Sequence, residues 1–476
     1  MILTLDVGTS RTKAALWAPG GLVDVASVPL TTRHPSPDRA EQDPSHWWGS
    51  VVDACAALES RTPGRLAAVT AVGCTGARQT FGLFDAAGTP TGPGIVWSDG
   101  RASPAAGGDG RAPGTTWVLS TLDWVAAHRA DELARCRWIL APRDVVAWRL
   151  TGSVATDPTL ASLTGSYGPD GTVSGTVAGP VADRLPPVVP SDRVTGGTDP
   201  RVAGDLGLPA GVPVVIGAGD RQCEVLGTGA TPLRPMVSWG TTANVSRPVE
   251  GRPDPAPPGL VATRSALGGW QLEGGLSAAG SLLSWLGRLS GRSATELAAL
   301  AAASPPGAHG VTAVPWLGGA RAPWWQPGVG AAFVGLSGSH GPADLARAVF
   351  EAVALDVQRC LEAMAPTGRR GSGGTGPGPT GLGLAGGGAA TPVWGEVLTG
   401  TTGLSARIRR SGEAASTGTA LLASGAVGEP WDLEDLDPVV GELVPDPTAV
   451  GRYGDLRAGA DRVARALVGA VPSGPR

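Results

Sequence analysis

Four times along this chain a short apolar run stops at a glycine and breaks into a turn that carries hydroxyls or a carboxylate. Met1 to Leu5 leads to Asp6-Val7-Gly8-Thr9-Ser10, and Val212 to Ile216 leads to Gly217-Ala218-Gly219-Asp220. Met236 to Trp239 leads to Gly240-Thr241-Thr242, and Leu382 to Ala385 leads to Gly386-Gly387-Gly388-Ala389. Apolar runs this short, bounded by turn residues, read as buried strands, and a glycine turn after each lets the backbone come close to a ligand. Helical periodicity fills much of the sequence between them, so the chain is restricted to α/β layers.

The first turn leads into a second strand, Ala14 to Trp17, which makes a hairpin with a small, hydroxyl-rich tip. Ala67 to Val72 reads as a further buried strand, and Asp123 to Leu150 as mostly helical, with Trp124, Trp138, Val145 and Trp148 facing a core. Ala343 to Met364 is the best-patterned helix: Leu345, Val349, Val353, Val357, Leu361 and Met364 recur at helical spacing behind Pro342. Shorter helices are expected at Thr391 to Thr399 and Gly412 to Gly425, the latter rich in small residues and suited to close packing on a sheet. The third tip opens a second domain, so the expected division is 1–230 and 231–470, with a Gly/Pro-rich surface loop at 366–381 in the second.

With 476 residues the chain can build two or three cores. Its net charge of -4 is spread without blocks of like charge, which excludes a nucleic-acid footprint or a polybasic membrane patch. No apolar run approaches the roughly 18 residues of a membrane span, and the N-terminus starts in a strand without a leader pattern, so a cytoplasmic protein is expected. The five cysteines are scattered with no Cys-x-x-Cys pair, which argues against a disulfide framework or a zinc site. Cys223 stands near Asp220, but reads first as a buried structural thiol.

Of 37 basic residues only Lys13 is a lysine. That rules out a Gly-Lys-Ser/Thr phosphate loop, because Lys13 follows Thr12. The match Gly-x-Gly-x-x-Gly at Gly381 to Gly386 comes out of a Gly/Pro tract rather than a strand, and is accidental. In the first tip, Gly8, Thr9, Ser10 and Lys13 suit a phosphate oxygen, and Asp6 suits a hydrated divalent cation. An ordinary glycine turn with a solvated lysine has the same short signature. Asp220 has two readings of its own, a general base or the N-cap of a helix that starts at Arg221, and the two are compatible.

Six segments, taken in order, resemble the FGGY family of carbohydrate kinases over nearly the whole chain. They are LDVGTSRTK from Leu5, GIVWSDGRA from Gly94, APRDVVAWRLTG with TDPTLAS (Ala141 to Gly152 and Thr156 to Ser162), GVPVVIGAGDRQCEVLGTG from Gly211, WLGGARAPWWQPGVGAAFVGL from Trp316, and LAGGGAATPVW from Leu384. The resemblance implies two ribonuclease-H-like, actin-like ATPase domains of α/β class flanking a central cleft. ATP would lie chiefly on the second domain and the sugar on the first, with APRDVVAWRLTG and TDPTLAS as a lid over the sugar. Gly8, Thr9, Ser10 and Lys13 would grip the phosphates from one wall, and Gly240, Thr241, Thr242, Gly387, Gly388 and Ala389 from the other. Asp220 would be the catalytic base, and Asp6 with Asp220 would hold Mg²⁺ through water.

The implied reaction is ATP-dependent phosphorylation of a small sugar or polyol. Arg78, Gln79, Asp220 and Gln222 would touch that substrate. Here the chain departs from its relatives: Ala77-Arg78-Gln79-Thr80 stands where xylulokinases carry Gln-Met-His-Gly, and is closer to the Arg-Glu-Thr of glycerol kinases. Leu272-Glu273-Gly274 and Gln222 are also glycerol-kinase-like, whereas Ser277 replaces a bulky aromatic and Thr121 falls where many members have Lys. The substrate therefore stays open between a ketose such as xylulose and a glycerol-like polyol. Two rival readings, an actin-superfamily ATPase without sugar kinase activity and a non-catalytic sugar-binding regulator, sit poorly with the Trp316 to Leu336 segment and with retention of Asp6, Lys13 and Asp220. No nucleic-acid or membrane partner is expected; a homodimer is compatible with the sequence.

Overall fold

The computed structural model describes residues 1–102, 117–177, 179–253, 255–365 and 378–470. The chain forms two compact units, neither of them continuous. The first comprises Met1–Gly227, Thr263–Gly269 and Glu413–Pro438, and the second Thr228–Ala262, Trp270–Gly412 and Val439–Arg476. Thr263–Gly269 and Glu413–Pro438 thus lie with the first unit, where a single boundary near 230 would put them in the second.

The first unit is built on β1 (Ile2–Val7), β2 (Arg11–Ala18), β3 (Gly21–Pro29), β4 (Ala71–Gly76), β5 (Val194–Gly197) and β6 (Pro213–Val215), in the order β3-β2-β1-β4-β6-β5. β1, β4 and β6 run parallel, so the turns after them emerge at one edge of the sheet, where ligands of open α/β sheets bind. Strand alternation divides β1 cleanly. Leu3, Leu5 and Val7 join the core formed with α1 (Ser45–Arg61) and α2 (Pro142–Thr151). Ile2, with Ala15 and Trp17 of β2, packs on the opposite side against Ala420 and Ala423, which belong to a later helix, Ala414–Ala426.

That helix explains why the first unit recruits residues 413–438. Without it the Ile2 and Trp17 face would be bare. Its small residues let it lie very close: a Cβ on Gly418 would sit 2.0 Å from the Cys223 carbonyl oxygen, and one on Gly73 would sit 2.8 Å from Thr419. Thr4 and Trp17 both hydrogen-bond Ser416 from the sheet, at 2.5 and 2.8 Å. Gly418→Ala would favour an isolated helix by roughly 1 kcal/mol. Here the contact reverses the sign, and the substitution should lower the melting temperature by several degrees, as differential scanning calorimetry would show.

The second unit is built on a sheet of β7 (Met236–Trp239), β8 (Ala243–Val249), β9 (Val261–Arg264, of which Val261 and Ala262 belong to this unit), β10 (Trp270–Gly275), β11 (Gly381–Ala385), β12 (Ser405–Arg409) and β13 (Val439–Leu443), in the order β9-β10-β8-β7-β11-β12-β13. Helix Pro342–Ala363 follows the expected pattern, with Val349, Val353 and Val357 fully buried. Phe350 from this helix and Trp394 from helix Pro392–Thr402 close on Trp239 at the end of β7, with ring centroids 5.4 and 4.0 Å away.

Several expected elements differ in place. Leu66–Ala68 is a single 3-10 turn, and the strand begins at Ala71 and continues through Gly-Cys-Thr-Gly. The helical stretch from Asp123 is interrupted by a short strand, Trp138–Leu140, which pairs with Gly82–Phe84. Of the loop at 366–381, residues 366–377 lie outside the described residues, and Gly381 already belongs to β11. Among the described residues no helix is long and apolar enough to cross a membrane.

Candidate active site

Asp6 and Lys13, expected beside the first turn, lie inside the hairpin strands and face each other across the ladder. The turn itself is therefore only Gly8-Thr9-Ser10. The Gly8 amide is spent on the Arg11 carbonyl at 3.0 Å, so it is not a phosphate donor as it stands. Thr9 is held from both sides: Trp97 Nε1 donates to its hydroxyl at 2.9 Å, and Gln42 Nε2 to its carbonyl at 2.7 Å.

Lys13 Nζ is 2.6 Å from Glu413 Oε2. Glu413 directly precedes the helix that covers this face of the sheet, and nothing in its local sequence marks it as a partner for a residue 400 positions away. Asp6 points to the same face. Its Oδ1 is buried with no hydrogen-bond partner. Burial pushes its carboxyl up to about 7, the charge of Asp220 adds to this, Lys13 opposes it, and Glu413 and Glu224 add smaller repulsions. A buried, unpaired carboxylate oxygen among like charges suits a cation, although no group of three ligating side chains gathers among the described residues.

At the neighbouring strand ends the chain brings together three of the residues expected at the sugar. Gly76, ending β4, bridges to Gly219 in parallel fashion, which sets Arg78 beside Asp220: Arg78 Nε is 3.3 Å from Asp220 Oδ1. Glycine at 219 leaves room for both side chains, since a Cβ there would sit 2.6 Å from Arg78 Cδ and 2.9 Å from Gln222 Oε1. Asp220 opens helix Asp220–Thr228 and accepts from the Arg221 amide at 2.7 Å. Gln222 is buried and donates to Thr263 Oγ1 at 3.2 Å. Gln79 is the fourth residue expected at the sugar. Its backbone is left-handed (φ 56°), its side chain donates to the Leu163 carbonyl at 3.3 Å, and it lines a cavity of about 50 Å³ with Thr80, Phe81, Thr164 and Ser166. Cys223 is fully buried, its thiol pushed up to about 11 by burial.

From the two segments expected as a lid, Arg143 and Thr159 reach under the turn that carries Asp220, while Asp144, Thr156, Leu160 and Ala161 line the cavity beside Gln79. Arg143 and Asp157 are fully buried and paired at 2.8 Å. Lone charges of this kind have no sequence signature that separates them from a solvated helix face.

In the second unit the remaining tips stand at the ends of adjacent parallel strands, β7 and β11. Gly240 and Thr241 turn their carbonyls to the first amides of helix Gly280–Ser290. The Thr241 and Thr242 hydroxyls have no partner among the described residues. Gly386 and Gly388 lie flat on Trp239: a Cβ on either would fall 2.4 or 2.1 Å from it, whereas Gly387 is open. Ala389 closes the tip through its amide to the Gly386 carbonyl at 3.0 Å.

Two α/β units with carboxylates, hydroxyls and glycine tips at strand ends define a phosphate-handling enzyme, and comparison with known proteins gives its class. Residues 1–107 and 109–227 match the N-terminal domain of the FGGY family of carbohydrate kinases, and 236–427 its C-terminal domain. The chain belongs to this family, whose members are ATP-dependent carbohydrate kinases. It is 30% identical over 486 residues to a xylulose kinase from Klebsiella pneumoniae, covering 96% of this chain and 97% of that one. It is also 31% identical over 400 residues to a glycerol kinase from Gloeobacter violaceus, covering 76% and 77%. The crystal structure of xylulose kinase from Rhodospirillum rubrum superposes with a TM-score of 0.83 at 26% identity, over 98% of each chain.

Proposed function

We propose that this chain transfers the γ-phosphate of ATP to a hydroxyl of a small ketose or polyol, with Asp220 accepting the hydroxyl proton. The observation that carries this reading is the convergence of Arg78, Asp220 and Gln222 at one edge of the first sheet. A carboxylate beside a guanidinium and a carboxamide offers a base together with donors that orient a polyhydroxylated acceptor. Phosphoryl transfer otherwise asks for positioning and charge neutralisation. Thr9 and Ser10 supply amides and hydroxyls to the transferring phosphate, with Gly8 allowing close approach. The second unit's Gly240, Thr241, Thr242, Gly387, Gly388 and Ala389 hold the nucleotide.

Asp6, with Asp220, would hold Mg²⁺ through water, and the orphaned Asp6 Oδ1 supports that assignment. The ion would neutralise charge on the phosphate oxygens. Lys13 serves the same end from its place opposite Asp6. Lys13→Met should therefore lower kcat by about 10-fold or more while leaving the KM for sugar within about twofold; steady-state kinetics with unchanged kcat would remove Lys13 from the site.

For the substrate, a pentulose is favoured by the near-complete overlap with xylulose kinases, and Arg78 gives the polyol alternative its footing. An ADP-coupled assay across pentuloses, hexuloses, polyols and aldonates decides between them. The highest kcat/KM is expected for a ketopentose such as xylulose; a glycerol-first ranking would reverse the substrate assignment, and no acceptor-dependent ADP at all would overturn the reaction.

A further inference from the structure

The segment that delivers Asp220 is held at every step by a buried side chain. Arg143 Nη1 donates to the carbonyls of Ile216 and Gly217, at 2.8 and 2.6 Å. Thr75 Oγ1 donates to the carbonyl of Ala218 at 2.9 Å. The Gly219 amide donates to Thr159 Oγ1 at 2.8 Å. Four consecutive residues before the candidate base are thus anchored through their main chain, by side chains that are themselves fully buried.

These anchors are tied to one another. Thr159 Oγ1 donates to Asp157 Oδ1 at 2.9 Å, and the same oxygen accepts from Arg143 Nη2 at 2.8 Å. Asp157 Oδ2 accepts from Ser191 Oγ at 2.6 Å and from the Thr159 amide at 3.0 Å. Arg143 Nε is taken by Asp144 at 2.9 Å. A buried arginine and two carboxylates are costly to desolvate, and a hydrophobic core would hold the helix at least as well. Such a network does give fixed direction, because each donor and acceptor has one geometry that satisfies it.

Space also constrains the turn. Gly217 is left-handed (φ 71°), and a Cβ there would collide with the Cys74 carbonyl oxygen at 1.7 Å; Gly219 is overlaid by Arg78. With no side chain at either position, these hydrogen bonds fix the direction of the peptide planes before Asp220 within that space. Thr159 takes the amide end of the Ala218–Gly219 plane, whose carbonyl end Thr75 holds, and the Gly219 carbonyl that follows accepts from the Cys223 amide at 3.0 Å.

We propose that Thr159, backed by the Asp157–Arg143 ion pair, is a positioning residue that sets the direction of the Asp220 carboxylate. The inference rests on Asp220 being the base. Thr159 touches neither substrate in this scheme; it acts through the Gly219 amide. Misplacement of a reacting group by about 1 Å can cost on the order of 100-fold in rate, so the hydroxyl should matter for turnover far more than for affinity.

The test compares Thr159→Val, Thr159→Ser and Thr159→Cys in the full chain, with Asp220→Asn in parallel. Thr159→Val keeps the shape but leaves the Gly219 amide without an acceptor, and kcat should fall by about 10- to 100-fold while both KM values stay within about twofold. Thr159→Ser restores the acceptor and should recover kcat to within about threefold, a rescue that a purely packing role would not give. Thr159→Cys, a weak acceptor of nearly the same size, should fall between, and carries the comparison if the valine variant does not fold. A valine or cysteine variant with the parent's kcat, or a serine variant no better than these, overturns the proposal. If Asp220→Asn keeps near-normal turnover, the base assignment fails first; if it is inactive while Thr159→Val or Thr159→Cys turns over like the parent, only the positioning role fails.

Discussion

Asp220→Asn is expected to reduce the sugar-dependent rate by about 10²- to 10⁴-fold, the usual consequence of losing a general base, while nucleotide affinity changes little. The carboxamide keeps the size of the side chain and can stay beside Arg78, so the fold at the strand end should survive. What it loses is the ability to take the hydroxyl proton as the oxygen attacks phosphorus. Single-turnover measurement of ADP formation separates this from slow product release, and isothermal titration with an ATP analogue checks that binding remains. Turnover within a few fold of the parent would remove Asp220 from the chemistry.

Asp6→Asn should produce two effects of opposite sign. The carboxylate is burdened by burial and by Asp220, and its folded pKa of about 7 stands above the ordinary 3.8. A carboxyl raised on folding takes up a proton between those values, so it costs stability progressively as the pH rises from about 4 to 7, and the full cost applies above 7. Asparagine carries no such cost. Without divalent cation at pH 8 the variant should be the more stable, with the melting temperature raised by several degrees and an upper bound of about 4 kcal/mol for a shift of this size, and the gap should shrink toward pH 4. Its sugar-dependent turnover should nonetheless drop on the order of 100-fold under the proposed role of Asp6, which gives its charge to a phosphate-bound cation. A variant that melts below the parent at pH 8 would mean that Lys13 stabilises the Asp6 carboxylate more than its surroundings oppose it.

The hairpin tip and the strand-end aspartate were legible because their chemistry is local. Gly8, Gly217 and Gly240 each follow an apolar strand, an order of residue types that places the turns even though an ordinary glycine turn shares it. The same holds for helix Pro342–Ala363, whose periodicity survives over 22 residues. Strand Ala71–Gly76 was shifted in the reading because its second half, Gly73-Cys74-Thr75-Gly76, is small and weakly apolar; it is a strand because β1 and β6 flank it on both sides, and tertiary pairing overrides propensity. Trp138–Leu140 was absorbed into a helix for the converse reason, three apolar residues being too few to show a period.

Long-range partners were the larger loss. The helix Ala414–Ala426 reads as an ordinary packing helix, and only the apolar face of Ile2, Ala15 and Trp17 that it buries explains why it belongs to the first unit. Glu413 comes with it and meets Lys13. Arg143 and Asp157 look in the sequence like helix-surface charges, yet both are fully buried under the turn that carries Asp220, a burial that single-sequence patterning does not reveal. Spacing located the glycine tips and Asp220 at their strand ends; what holds them in place comes from contacts between distant segments.

The most direct measurement is a product balance by phosphorus NMR after incubating the purified chain with ATP, Mg²⁺ and a ketopentose such as xylulose, beside a control without sugar. A sugar kinase should form one phosphate ester of the sugar for every ADP released, with only a trace of inorganic phosphate, and the control should release ADP far more slowly, because water lacks the contacts that seat the acceptor at Asp220. Equimolar ADP and inorganic phosphate, formed at the same rate with or without any sugar or polyol, would contradict the account and identify the chain as an ATPase.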